Sequence, residues 1–130
     1  MEDFRFEKLE VWKEAIDISD ILFDYADQAD KKRLYKFAEQ LRGATMSISN
    51  NIAEGSGSFS DKEFASFLNI SRRSVFECAN ILYIFLRRKV ITSEEKSLVY
   101  FSGTYIEDRD APIPGVPCLT GLLVMANSPR

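Results

Sequence analysis

Between Phe64 and Phe85 the inward-type side chains form an unbroken 4-3-4-3 series: Phe64, Leu68, Ser71, Val75, Cys78, Leu82 and Phe85. That spacing returns to one side of a helix every 3.5 residues, whereas a strand would need alternation every two. A seam of this kind is buried by packing on other helices, so it directs the chain towards a helical bundle. Ser60 and Glu63 precede it at capping-box spacing, and the helix is expected to end near Lys89.

Three further stretches carry helical periodicity. The first helix is expected from about Lys8 to Ala29, with Leu9, Trp12, Ile16, Ser19, Phe23 and Ala26 on one face. A second set, Ile18, Ile21, Leu22 and Tyr25, widens that face. The charged run Asp30–Arg33 marks a turn, and the next helix takes Leu34 to about Ala53 through Ala38, Leu41, Thr45, Ile48 and Ile52. Gly55 and Gly57 follow, as a helix end and a turn would use them. Thr92 and Glu95 repeat the capping-box spacing and open a fourth, shorter helix with Leu98, Phe101 and Tyr105 inside, weakened by Gly103. Short connections between long amphipathic helices favour each running antiparallel to the next. The expected fold is therefore all-α, an antiparallel up-down-up-down four-helix bundle over 1–108, followed by an irregular Pro-rich C-terminal tail over 109–130. Prolines at 112, 114, 117 and 129 forbid regular helix in that tail. Its apolar piece, Leu119–Met125, folds back onto the bundle or packs on another subunit.

A chain of 130 residues, 45% hydrophobic and 28% charged, can bury a core without disulfides or metal. The N-terminus lacks the pattern of a secretory signal, and no apolar run reaches the roughly 18 residues of a membrane span, so a cytoplasmic protein is expected. Cys78 lies on the seam and Cys118 in the tail, a poor setting for a disulfide. The sequence contains no histidine, which excludes histidine acid–base chemistry and histidine-ligated metal. No cofactor motif is present, no metal ligand set is expected, and no residues converge on a nucleophile, so no enzymatic activity is expected.

Several constellations have plain explanations. Adjacent Glu94 and Glu95 suit a helix first turn rather than a catalytic pair. Ser47, Ser49, Asn50 and Asn51 suit close helix packing and local hydrogen bonding rather than a ligand pocket. Gly55-Ser56-Gly57-Ser58 lacks the preceding strand and the Gly-Lys-Ser/Thr ending of a phosphate loop. Trp12, Phe64, Phe67 and Phe85 suit a core better than a base-stacking surface. The basic residues are different, because an antiparallel bundle gathers what the sequence separates. Lys31, Lys32, Arg33 and Lys36 would share one end with Arg87, Arg88 and Lys89, while Glu2, Asp3, Glu7, Glu54, Asp61 and Glu63 collect at the other. Two readings stand: a basic rim for phosphate backbones, or solvated cations that offset helix dipoles. Glu94 and Glu95 at the same end dilute the patch. The net charge of -3 speaks against a wholly basic nucleic-acid surface but not against a local one.

Phe6–Ala15 (FEKLEVWKEA), Gln40–Gly57 (QLRGATMSISNNIAEGSG) and Asp61–Glu77 (DKEFASFLNISRRSVFE), in that order, resemble the four-helix bundle proteins encoded in intervening sequences of bacterial 23S ribosomal RNA genes. The resemblance spans roughly residues 4–100. It implies a left-handed bundle assembled into a ring-like homo-oligomer, with a pentamer favoured, and no established reaction. Relatives in overall shape include accessory proteins of diversity-generating retroelements, which bind nucleic acid and partner a reverse transcriptase. Trp12, Arg42, Asn51, Glu54 and Gly55 fall on the family's motif and are candidate interface positions; Arg42 and Glu54 would either make buried or interfacial polar contacts that fix subunit register or lie exposed on the surface. Two departures stand out. Arg42-Gly43-Ala44 replaces the usual Arg-Ala-Ala, at about 1 kcal/mol of helix propensity. The Pro-rich tail replaces the end of a longer last helix, which weakens the carry-over of oligomeric state. The expected role is non-enzymatic, a helical module that binds RNA or DNA through its basic end, or alternatively a scaffold for protein contacts alone.

Overall fold

The computed structural model describes residues 3–96. It is all-helical: a 3-10 helix at Arg5–Lys8, then α1 (Glu10–Lys31), α2 (Tyr35–Ser56) and α3 (Asp61–Arg87), with no strand among the described residues. The backbone turns helical again at 93–96, opened by a complete capping box. There the Glu95 N–H donates to Thr92 Oγ1 at 3.2 Å and the Thr92 N–H donates to Glu95 Oε1 at 3.1 Å. The remainder of the expected fourth helix and the tail lie outside the described residues. At the head of α3, Ser60 Oγ accepts from the Glu63 N–H at 3.2 Å, satisfying one of the donors a helix start leaves open.

α2 is the central element and packs against both neighbours. Along α3 its contacts run in reverse order: Phe64 and Phe67 lie against Gly55, Ser71 Oγ donates to the Ile48 carbonyl at 2.8 Å, Ser74 Oγ reaches Ser47 Oγ at 2.7 Å, and Cys78 Sγ lies 3.9 Å from Thr45 Oγ1. The same order holds towards α1, where Arg5 bonds the Ser56 carbonyl while Arg42 bonds Asp27 and Asp30. The whole 4-3-4-3 series of α3 is buried, as are Ala38, Leu41, Thr45, Ile48 and Ile52 of α2. Burial lifts the Cys78 thiol to about 12, which keeps it protonated and unreactive at neutral pH.

Two expectations are corrected. The core face of α1 is Val11, Ala15, Ile18, Ser19, Leu22, Tyr25, Ala26 and Ala29, so the inward line takes Ser19 and Ala26 from the first apolar set and Ile18, Leu22 and Tyr25 from the second. Ile16 is exposed, and Trp12 and Phe23 are only half-buried. Neither Gly55 nor Gly57 supplies special backbone freedom. Gly55 is inside α2, and Gly57 caps it at φ -82°, a right-handed value open to any residue. Gly55 is required by proximity instead: a Cβ there would stand 2.5 Å from Phe67 Cβ and 2.9 Å from Phe64 Cδ2.

Gly43 is the opposite case, since nothing lies within 4 Å of the place its Cβ would occupy. Gly43→Ala is expected to stabilise the chain by about 0.5–1 kcal/mol through helix propensity, seen as a rise of a few degrees in Tm. A fall in Tm would mean that the subunit pairs with another surface at that point of α2.

Candidate nucleic-acid interface

The seven basic residues singled out in the sequence are brought together by the way α1 and α3 end. Both helices finish with the same pair of backbone bonds. The Arg33 N–H donates to the Asp30 carbonyl at 2.8 Å and the Leu34 N–H to the Ala29 carbonyl at 2.9 Å; after α3, Lys89 donates to Leu86 at 3.1 Å and Val90 to Phe85 at 2.8 Å. These are Schellman motifs, whose turning residue must adopt the left-handed conformation. Glycine usually fills that place, but here Arg33 holds it at φ 62° and Lys89 at φ 57°. Apolar Leu34 and Val90 follow each turn and pack inward, Val90 fully. The Lys32 ammonium donates to the Lys89 carbonyl, which joins the two helix ends directly. Lys31, Lys32, Arg33, Lys36, Arg87, Arg88 and Lys89 are all exposed.

The acidic groups near this end are largely occupied. Arg42 Nη2 contacts Asp30 Oδ2 at 2.6 Å and Asp27 Oδ1 at 2.8 Å, and its Nη1 contacts Glu39 Oε1 at 2.9 Å. These contacts, that with Asp30 foremost, hold the guanidinium charged beyond its ordinary range. Glu95 accepts from Gln28 Nε2 at 3.1 Å, and that bond keeps its carboxyl below the usual value. The Tyr25 hydroxyl donates to the Glu95 carbonyl at 2.7 Å; burial, and then the charge of Glu95, push its pKa above the ordinary tyrosine value and keep it protonated. Glu94 remains exposed.

The positions on the family motif are dispersed rather than gathered. Trp12 packs on Phe6 with ring centroids 4.9 Å apart, tying the N-terminal segment to α1. Asn51 Nδ2 donates to the Ser47 carbonyl at 2.7 Å and to Ser47 Oγ at 3.0 Å, beside the bond from Ser74 that links α2 to α3. Gly55 is buried under α3, and Glu54 is exposed on the last turn of α2. Of the opposite end, Asp3, Glu7, Asp61 and Glu63 are exposed with it, alongside Arg5, Lys8 and Lys62; Glu2 lies outside the described residues. Sequence reasoning named Arg42 for polar contacts but missed its partners Asp27 and Asp30, for which no spacing rule exists between separate helices, and it missed Gln28 and Tyr25, which hold Glu95. It also passed over Tyr35, although the ring stands in plain sight between Arg33 and Lys36.

A search of the curated proteins finds no match. The family described as 23S rRNA-intervening sequence protein matches residues 7–102, which takes in α1, α2 and α3 and most of the chain. No helix among the described residues is long and apolar enough to cross a membrane. By that match, the chain belongs to the 23S rRNA-intervening sequence protein family.

Proposed function

We propose that the chain is a non-enzymatic cytoplasmic module, an antiparallel up-down-up-down four-helix bundle that assembles as a homo-oligomer and binds RNA or DNA through its basic end. The reversed order of contacts along both sides of α2 supports the topology. The resemblance of Phe6–Ala15, Gln40–Gly57 and Asp61–Glu77 to that family implies a pentamer as the favoured assembly. One observation carries the binding role: two basic residues occupy left-handed positions at the same end, joined through Lys32 and the Lys89 carbonyl. A residue other than glycine pays about 1 kcal/mol or more for that conformation. Offsetting the helix dipoles does not require it, because Lys31 and Arg87 already place cations in the last turns.

The test separates stability from binding. Arg33→Gly with Lys89→Gly is expected to stabilise the fold by about 1–2 kcal/mol in total while weakening the binding of labelled structured RNA in fluorescence anisotropy. Loss of two phosphate contacts lowers the slope of log K against log salt by about 1.4–1.8. Affinity that stays level as Tm rises rejects the basic end as the interface.

A scaffolding role is the second reading, favoured by exposed apolar side chains on the outer faces of the helices: Ile16 on α1, Met46 on α2, and Ile70, Phe76 and Ile84 on α3. Absence of nucleic-acid binding at low salt, together with a stable oligomer in sedimentation, would select it.

A further inference from the structure

Tyr35 is the first residue of α2, directly behind the left-handed Arg33 turn and one residue before Lys36. It is 58% exposed. The first turn of α2 contains no acidic residue, and the nearest carboxylate along the helix, Glu39, is engaged by Arg42. The other exposed aromatic rings are placed differently. Phe4 stacks on Phe6, Phe59 lies in the turn next to Asp61 and Glu63, Phe76 is mid-helix on α3, and Tyr83 has the Lys96 ammonium 3.5 Å over its ring centroid. Among the described residues Tyr35 is thus the exposed ring set within the basic end whose face is not already taken up by a cation.

A ring among cations serves a particular ligand. Cations hold the phosphate backbone of any nucleic acid, but a flat exposed ring gains only from a base whose own face is free. Bases in a duplex are stacked on one another and present their edges, so the ring adds nothing to duplex binding. We propose that Tyr35 is a base-stacking platform and that the basic end takes unpaired nucleic acid, a single strand or a loop, in preference to a duplex. This rests on the basic-end reading above and narrows its ligand. The phosphates lie on Lys31, Lys32, Lys36 and the two turns, and a splayed base covers the ring.

The experiment uses the full chain, as wild type, Tyr35→Ala and Tyr35→Phe, titrated against fluorescein-labelled single-stranded RNA, single-stranded DNA and a duplex of equal charge, at two salt concentrations. Tyr35→Ala is expected to weaken single-strand binding roughly tenfold and to leave duplex binding unchanged. The salt slope stays the same, because stacking releases no counterions. Tyr35→Phe retains wild-type affinity, since the face and not the hydroxyl does the binding. The two single strands report whether the sugar matters. Equal losses on single strand and duplex, or no loss on either, overturn the stacking role while leaving the basic end standing. Failure of the wild-type chain to bind any of the three at low salt overturns both. Circular dichroism of each variant, expected to match wild type because Tyr35 is exposed, assigns any loss to the ring.

Discussion

Gly55→Ala is expected to lower the Tm by about 10 °C, in the chain's most conspicuous stretch of small residues. The added methyl would stand 2.5 Å from the Cβ of Phe67 and 2.9 Å from the Phe64 ring. A ring can swing away, but the Phe67 Cβ is fixed to the α3 backbone, so α3 itself must retreat. The retreat opens the seam around Phe64 and stretches the Ser71–Ile48 and Ser74–Ser47 bonds. Alanine recovers up to about 1 kcal/mol of helix propensity, while overpacking against backbone costs about 3 kcal/mol or more. The net loss is about 2–3 kcal/mol, which for a domain of this size gives the stated shift. Thermal unfolding followed by circular dichroism measures it, with Gly43→Ala as the internal control of opposite sign. A Tm within a degree of wild type would show that α2 and α3 do not approach closely at Gly55.

The second large effect is on binding. Changing Arg87, Arg88 and Lys89 together to glutamate alters the local charge by six and sets three anions beside the remaining cations of the same end. Each phosphate contact contributes about 0.9 to the salt slope, so loss of three flattens it by nearly three and removes at least a hundredfold of affinity at low salt. The fold is expected to survive, because all three side chains are exposed. New anions at the C-terminus of α3 cost about 0.3–1 kcal/mol each through the helix dipole. Anisotropy titrations together with a thermal melt separate the two quantities. Unchanged affinity in a folded variant removes the basic end from consideration and moves attention to the exposed apolar faces.

Much of this was legible in the residues. The seam of α3 and the caps at Ser60 and Thr92 follow from local rules, and the structure places the boundaries within about three residues of the expected ones. The gathering of basic residues followed from topology, and the Lys32–Lys89 contact supports it. The inward face of α1 was less legible, because apolar residues surround much of that helix. The alanines at 15, 26 and 29 are buried while the larger Ile16 and Phe23 are not, a property of packing and not of hydropathy. The role of Gly55 was hidden for the same reason: a glycine near a helix end looks like a cap until the other helix is present. Arg33 and Lys89 gave no sign at all, since nothing in a basic residue announces a left-handed turn.

An apolar 4-3-4-3 repeat has a weakness, which is that it matches itself again after seven residues. Leu, Val and Phe on α3 would find comparable apolar neighbours if the helix slid one repeat along α2. The serine hydroxyls forbid this. Ser71 has its acceptor only at Ile48 and Ser74 only near Ser47 and its own helix, while Phe64 and Phe67 fit only over the notch at Gly55. Slippage would take the buried Ser71 hydroxyl from its Ile48 acceptor, at about 1–3 kcal/mol, leave Ser74 only the bond to the Ile70 carbonyl of its own helix, and drive rings into a helix that has side chains in the way. The polar and small residues of α2 thus give the helix pair a single register where greasier ones would have allowed several.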